Sequence, residues 1–148
     1  MNMKKIKIAL LLALTLCIVG CNKSKKLGGN VVGEWKLDTY YGVSAASGKV
    51  PAVVYLNFKK DGSFELFQCL GDAGHFTAFT GMYETADGLL YGDYDGVESF
   101  YWAANYKYSV SGDTLTLEDS DNAGSGECVY VRCSIPAEVR KDASDYAE

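Results

Sequence analysis

Few residues of this 148-residue chain have the type and spacing that bond-making chemistry needs. His75 is the only histidine, near Asp72 and Cys69. A structural zinc site draws on closely spaced pairs of cysteine and histidine, and no such spacing occurs, so no metal is expected. Asp93-x-Asp95-Gly96-x-Glu98 and Asp119-x-Asp121 put carboxylates on alternate residues, as calcium loops do. Neither completes that pattern, and both read as acidic turns in solvent. No serine-nucleophile motif, phosphate-cradling glycine loop or dinucleotide fingerprint is present. Carboxylate pairs can meet across a barrel without leaving a trace in sequence. With one histidine and no evident acid–base pair, the chain is nonetheless predicted not to be an enzyme and to need no cofactor.

The thiol with the clearest chemistry is Cys21. Met1 to Lys7 is basic, and Ile8 to Val19 is an apolar run too short to span a bilayer but suited to a secretory signal. It ends in Ile18-Val19-Gly20-Cys21, which resembles the lipobox of bacterial lipoproteins. The resemblance implies cleavage after Gly20. It also implies acylation of Cys21 (a diacylglycerol on the thiol, with palmitate-type chains) and stable membrane anchoring through several chains together. Residues 1–20 are thus expected to be a signal peptide and 21–30 a lipidated tether. Asn22 to Asn30 is polar and glycine-bearing, and extended it reaches roughly 30 Å at most. Removing the leader removes Lys4, Lys5 and Lys7 and no acid, leaving 11 basic and 19 acidic side chains, a net of −8. An acidic chain without a basic patch is not expected to bind nucleic acid.

Export permits disulfides. Cys128 and Cys133 lie five residues apart on one predicted strand, roughly 17 Å when extended, beyond disulfide reach. Cys69 closes one predicted strand and Cys128 opens another at the same end of the fold. Cys69–Cys128 is therefore the expected pair and Cys133 the free thiol.

Aromatic residues are the remaining resource. Residues 76–108 hold ten of the nineteen in the chain. The cluster suits either a packed core with tyrosines on the outer wall, or a pocket for a flat or greasy ligand. For the pocket, Trp102 and Tyr106 are the leading wall candidates, followed by Phe79 and Tyr94.

What must position these side chains is a series of short alternating segments. Strands are predicted over 33–39, 52–59, 63–69, 77–84, 88–94, 100–110, 114–118 and 127–133. Val54, Leu56 and Phe58 alternate with Tyr55, Asn57 and Lys59, and Trp102, Ala104, Tyr106, Tyr108 and Val110 share one face. Asp61-Gly62 and Asp87-Gly88 are hairpin turns. Tight turns alternate with longer loops, so all tight turns fall at one end of an up-and-down meander. The fold class expected is all-β: an eight-stranded antiparallel up-and-down barrel over 31–135. A short helix over 134–143 follows, with Ser134 as its cap and Pro136 in its first turn, and the C-terminus to residue 148 frays.

Gly33-x-Trp35 at the start of the first strand resembles the Gly-x-Trp signature of lipocalins. In that family an arginine near the end of the last strand packs over the tryptophan, and Arg132 holds the matching place. The likeness implies that Gly33, Trp35 and Arg132 close the base of the barrel. The family's second motif, Thr-Asp-Tyr, is absent, and Asn105-Tyr106 stands nearest to it. The chain looks most like the compact lipocalin-like lipoproteins of Bacteroidetes.

These readings predict a monomeric lipocalin-like lipoprotein, anchored in the outer membrane at its periplasmic face. It would bind a small apolar or aromatic ligand at the long-loop end. The alternative is a protein-interaction or inhibitor module of the cell envelope with a filled barrel.

Overall fold

The computed structural model describes residues 28–50, 52–96, 102, 104–122, 124 and 126–146. The predicted leader, Cys21, and Phe100 and Tyr101 of the aromatic cluster lie outside these. The chain forms β1 (Gly33–Tyr40), a two-residue β2 (Val43–Ser44), β3 (Ala52–Phe58), β4 (Ser63–Leu70), β5 (Thr77–Ala86), β6 (Leu89–Tyr94), β7 (Tyr106–Ser111), β8 (Thr114–Asp119), β9 (Glu127–Arg132) and helix α1 (Ala137–Tyr146). Each strand from β3 to β9 pairs antiparallel with the next, and β9 returns to β1 with Trp35 opposite Arg132. β1 and β3–β9 thus make a closed eight-stranded antiparallel barrel with up-and-down, lipocalin-like order. β2 is only a hairpin arm on the end of β1.

Alternation decides the two faces. Trp35, Leu56, Phe58, Phe64, Leu90 and Leu115 point inward and form the main core. Burying each large side chain stabilises the fold by about 1.5–3 kcal/mol. The turns follow their residues: Asp87-Gly88 takes φ of 51° and 77°, the doubly positive form that matches strand twist. Strand 100–110 is shorter than its pattern suggests, since β7 begins at Tyr106. The Trp102 backbone N–H instead donates to the Gly92 carbonyl at 3.0 Å, beyond the two residue pairs that join β6 to β7.

The base is sealed from both ends of the chain. Arg132 stacks its guanidinium carbon 3.8 Å from the Trp35 ring centroid. Its Nη1 donates to the Val32 carbonyl at 2.6 Å. The Trp35 indole N–H donates to the Val31 carbonyl at 2.7 Å, and Val31 is itself only 3% exposed. Gly33 has φ of 127°, and a Cβ there would overlap Arg132 Nη1. Residues 28–30, counted from the sequence as tether, belong to this floor. Gly28 bridges Ser109, and the Tyr108 hydroxyl donates to the Gly29 carbonyl at 3.3 Å.

Helix α1 covers part of the outside. Tyr55 and Phe67 face outward and pack beneath Ile135, Val139 and Ala143. Arg140 clamps the helix down, its Nη2 2.6 Å from Glu34 Oε1 and its Nη1 2.9 Å from Glu65 Oε2. The helix starts later than expected, and Ser134 does not cap it. The Pro136 carbonyl accepts from Val139 N–H at 3.1 Å, while the Ile135 N–H donates to Glu34 Oε2 at 2.6 Å.

Two stability predictions follow from these contacts. Gly33→Ala should cost about 2–4 kcal/mol in urea unfolding, from the positive φ and the clash together. Adding Arg132→Ala should cost less than the two single effects summed, because the clash is then gone. The second concerns acid. Burial raises the Glu65 carboxyl, but hydrogen bonds from Arg140, Asn57 and Lys59 outweigh it and hold the group at about 2, below its ordinary 4.5. The stability from this depressed carboxyl is complete above the ordinary range and is lost as pH falls through 4.5 towards 2. Arg140→Met should lower stability at neutral pH by about 1–2 kcal/mol. It should also flatten the acid limb of a melting-temperature profile followed by circular dichroism.

Candidate functional site

The barrel interior is filled at one end and open at the other. Phe64 and Trp102 form the step between the halves, edge to face at 5.1 Å. Two glycines make room for them. A Cβ at Gly81 would lie 2.7 Å from Phe64 Cε1, and one at Gly92 would lie 2.9 Å from the Trp102 ring. Above this step lies a cavity of about 280 Å³, walled by Leu56, Leu66, Gln68, Tyr94, Tyr106 and Tyr130 among others. Tyr40, Tyr41 and Cys128 stand around its mouth at the end of the long loops. Among the described residues no charged side chain lines it.

Burial is the main cause of the electrostatics here. It raises the Tyr94 hydroxyl, pushes Tyr106 up to about 12, and raises Tyr130 further. The phenols are therefore neutral and able to donate at physiological pH. Burial also raises the Cys128 thiol, which makes it a weak nucleophile. Tyr130 is half-buried, packs against the interior cluster and lines the cavity. The Trp102 indole N–H is buried without a hydrogen-bond partner, alone in this among side-chain polar atoms of the described residues. Such an orphan costs about 1–3 kcal/mol unless an acceptor reaches it.

Of the wall residues expected from sequence, Trp102, Tyr106 and Tyr94 line the cavity. Phe79 does not. It sits at the rim, 37% exposed, with its ring 5.8 Å from that of Tyr94. The sequence reading missed Tyr130 and Cys128. Their signal was parity: both lie an even number of residues from Arg132, which was already expected to reach the inside.

The expected Cys69–Cys128 disulfide is not formed, and both are free thiols. They do lie near the same rim, but on opposite faces. Cys128 packs into the interior cluster, whereas Cys69 lines an outer hollow beside Lys36 and Val131. β1 and β3 also separate their strands. Cys133 is free and packs with the outer cluster beneath α1. The outer hollow is larger, about 600 Å³, but its walls are small aliphatic residues such as Ala45, Ala46 and Val50 together with the charged Lys36, Asp38 and Asp72. It offers neither the rings nor the converging hydroxyls of the interior. His75 Nδ1 lies 2.8 Å from the Ala73 carbonyl oxygen. Among the described residues no group of three or more His, Cys, Asp and Glu side chains could hold a metal ion.

The chain matches no family model and no curated protein. Among solved structures it is similar to the lipoprotein YedD of Klebsiella pneumoniae, with a TM-score of 0.49 and 13% identity over 82% of this chain and 89% of that one. A likeness so distant leaves the reading of the cavity to its own geometry.

At the mouth, Tyr41 adopts φ of 46°, which a bulky side chain disfavours, and places its ring 4.5 Å from Tyr40. Strain of this kind gathers at functional sites. Tyr41→Asn should relieve it, since asparagine tolerates positive φ, and should stabilise the protein by about 0.5–1 kcal/mol in urea unfolding. Weaker retention of any cavity-bound molecule should accompany the gain.

Proposed function

We infer that this protein is a lipid-anchored barrel of the cell envelope that holds a small apolar or aromatic molecule at its loop end. The observation that supports this best is the uncharged, ring-walled cavity of about 280 Å³ above a sealed base. Ligand sites are mostly apolar with a few polar groups for orientation, and this interior has that make-up. Its size falls at the small end of the range for such sites, which suits a compact molecule rather than a long acyl chain. Anchoring rests on the lipobox-like Ile18-Val19-Gly20-Cys21, with Cys21 as the acylated residue and the periplasmic face of the outer membrane as the location. The protein acts as a monomer, without catalysis or cofactor. Gly33, Trp35 and Arg132 close the base, and Trp102, Tyr106 and Tyr94 contact the ligand with Phe79 at the entrance.

One observation favours a second reading, a surface that contacts another envelope protein. Tyr40, Leu70 and Phe79 are exposed by 46%, 52% and 37%. The open interior favours the first.

Cys128 provides the test, because it reports on the cavity while Cys69 reports on the outside. Small aromatic molecules should slow maleimide labelling of Cys128 in the full-length protein and leave Cys69 unaffected. Leu66→Trp, which fills the cavity, should abolish that protection while the barrel still melts cooperatively. Equal labelling of Cys128 with and without a panel of such molecules would defeat the ligand reading and favour the interaction surface. Cys21→Ser should move the protein from the membrane to the soluble fraction.

A further inference from the structure

We propose that the cavity selects an uncharged, flat, two-ring molecule that carries a hydrogen-bond-accepting oxygen, of the aromatic-ketone or quinone class. This rests on the ligand-binding reading above and narrows it by three observations.

The first is volume. At protein-like packing density, a cavity of about 280 Å³ accommodates about twelve non-hydrogen atoms. Two fused rings with one or two substituents fill that space, whereas one ring leaves voids and a long lipid would leave most of its length outside.

The second is charge. Among the described residues no cation lines the wall, so a carboxylate or phosphate entering it would lose hydration with no counter-charge in return. The charged group acting on both Tyr41 and Tyr106 is Asp119, which is negative. A cation would need free aromatic faces. Here Phe64 meets Trp102 and Tyr94 edge to face, at 5.1 and 5.6 Å, so part of the ring surface is taken up by neighbouring rings.

The third is hydrogen bonding. Tyr106 and Tyr130 line the cavity with neutral phenols, and the buried indole N–H of Trp102, also of the lining, is a donor that nothing satisfies. Indole can donate but cannot accept. A bound carbonyl oxygen answers this need, and a hydrocarbon does not.

Three probes of similar size separate these claims by calorimetry on the full-length protein. Chromone is flat, neutral and carries a carbonyl. Naphthalene has the shape without the acceptor, and 2-naphthoate adds a negative charge. Chromone should bind about tenfold tighter than naphthalene although it is the more polar, and 2-naphthoate weakest of all. Trp102→Phe keeps a ring in place and removes the N–H. It should bring the chromone-to-naphthalene affinity ratio down towards one, and that ratio is the readout because the smaller ring changes packing for both probes alike. Equal affinity for chromone and naphthalene, or a chromone preference untouched by Trp102→Phe, overturns the acceptor rule while the cavity remains a binding site. Tighter binding of 2-naphthoate overturns the requirement for a neutral ligand. Failure of all three to bind, with the Leu66→Trp variant behaving as the parent does, brings down the binding reading itself.

Discussion

The contact on which the rest depends is Arg132 lying over Trp35. It joins the last strand to the first at the point where the barrel could otherwise gape, and it does so with a charge turned to structural use. The guanidinium covers the indole face at 3.8 Å and bonds to backbone carbonyls of the segment before β1. Lysine could not do both, since it lacks a planar fork. Gly33 is the condition for the arrangement, because any side chain there would stand where Nη1 stands. Ring closure in turn removes both sheet edges, which an eight-stranded sheet of this amphipathic pattern would otherwise expose.

A closed base makes the interior one-ended, and the glycines divide it. Gly81 and Gly92 lie on neighbouring strands and admit Phe64 and Trp102 against bare backbone. Without that recess both rings would be pushed up into the space that is now open. Hollow and filler are therefore products of the same two positions. The raised tyrosines follow from burial in the same interior. The polar character of the pocket is thus fixed as donor hydroxyls, with no phenolate to hold a cation.

Much of the fold could be read from the chain because its signals were local. Alternation at Val54, Leu56 and Phe58, and the Asp-Gly turns, each depend on residues a few positions apart. The plug was legible through a short motif and its distant partner. What stayed hidden needed a third dimension. Tyr55 and Phe67 look like breaks in alternation until α1 is seen lying on them. Cys69 and Cys128 sit at similar heights, yet the parity of their strands points them to opposite faces. Residues 28–30 read as tether because glycine and asparagine carry no strand signal, although their backbone makes part of the floor. Tyr41 gave no warning of its positive φ, since the glycine after it already explains a turn.

The route by which the chain enters the barrel sets its outlook. Gly28 meets β7 at Ser109, next to the β7–β8 turn at the base, so everything upstream attaches at the pole opposite the mouth. On the anchored reading proposed above, a protein moored by that pole would stand with its opening turned outward. Any molecule it held would then be exchanged with the surrounding fluid, or with whatever faces it across the compartment, and not drawn up from the anchoring lipid.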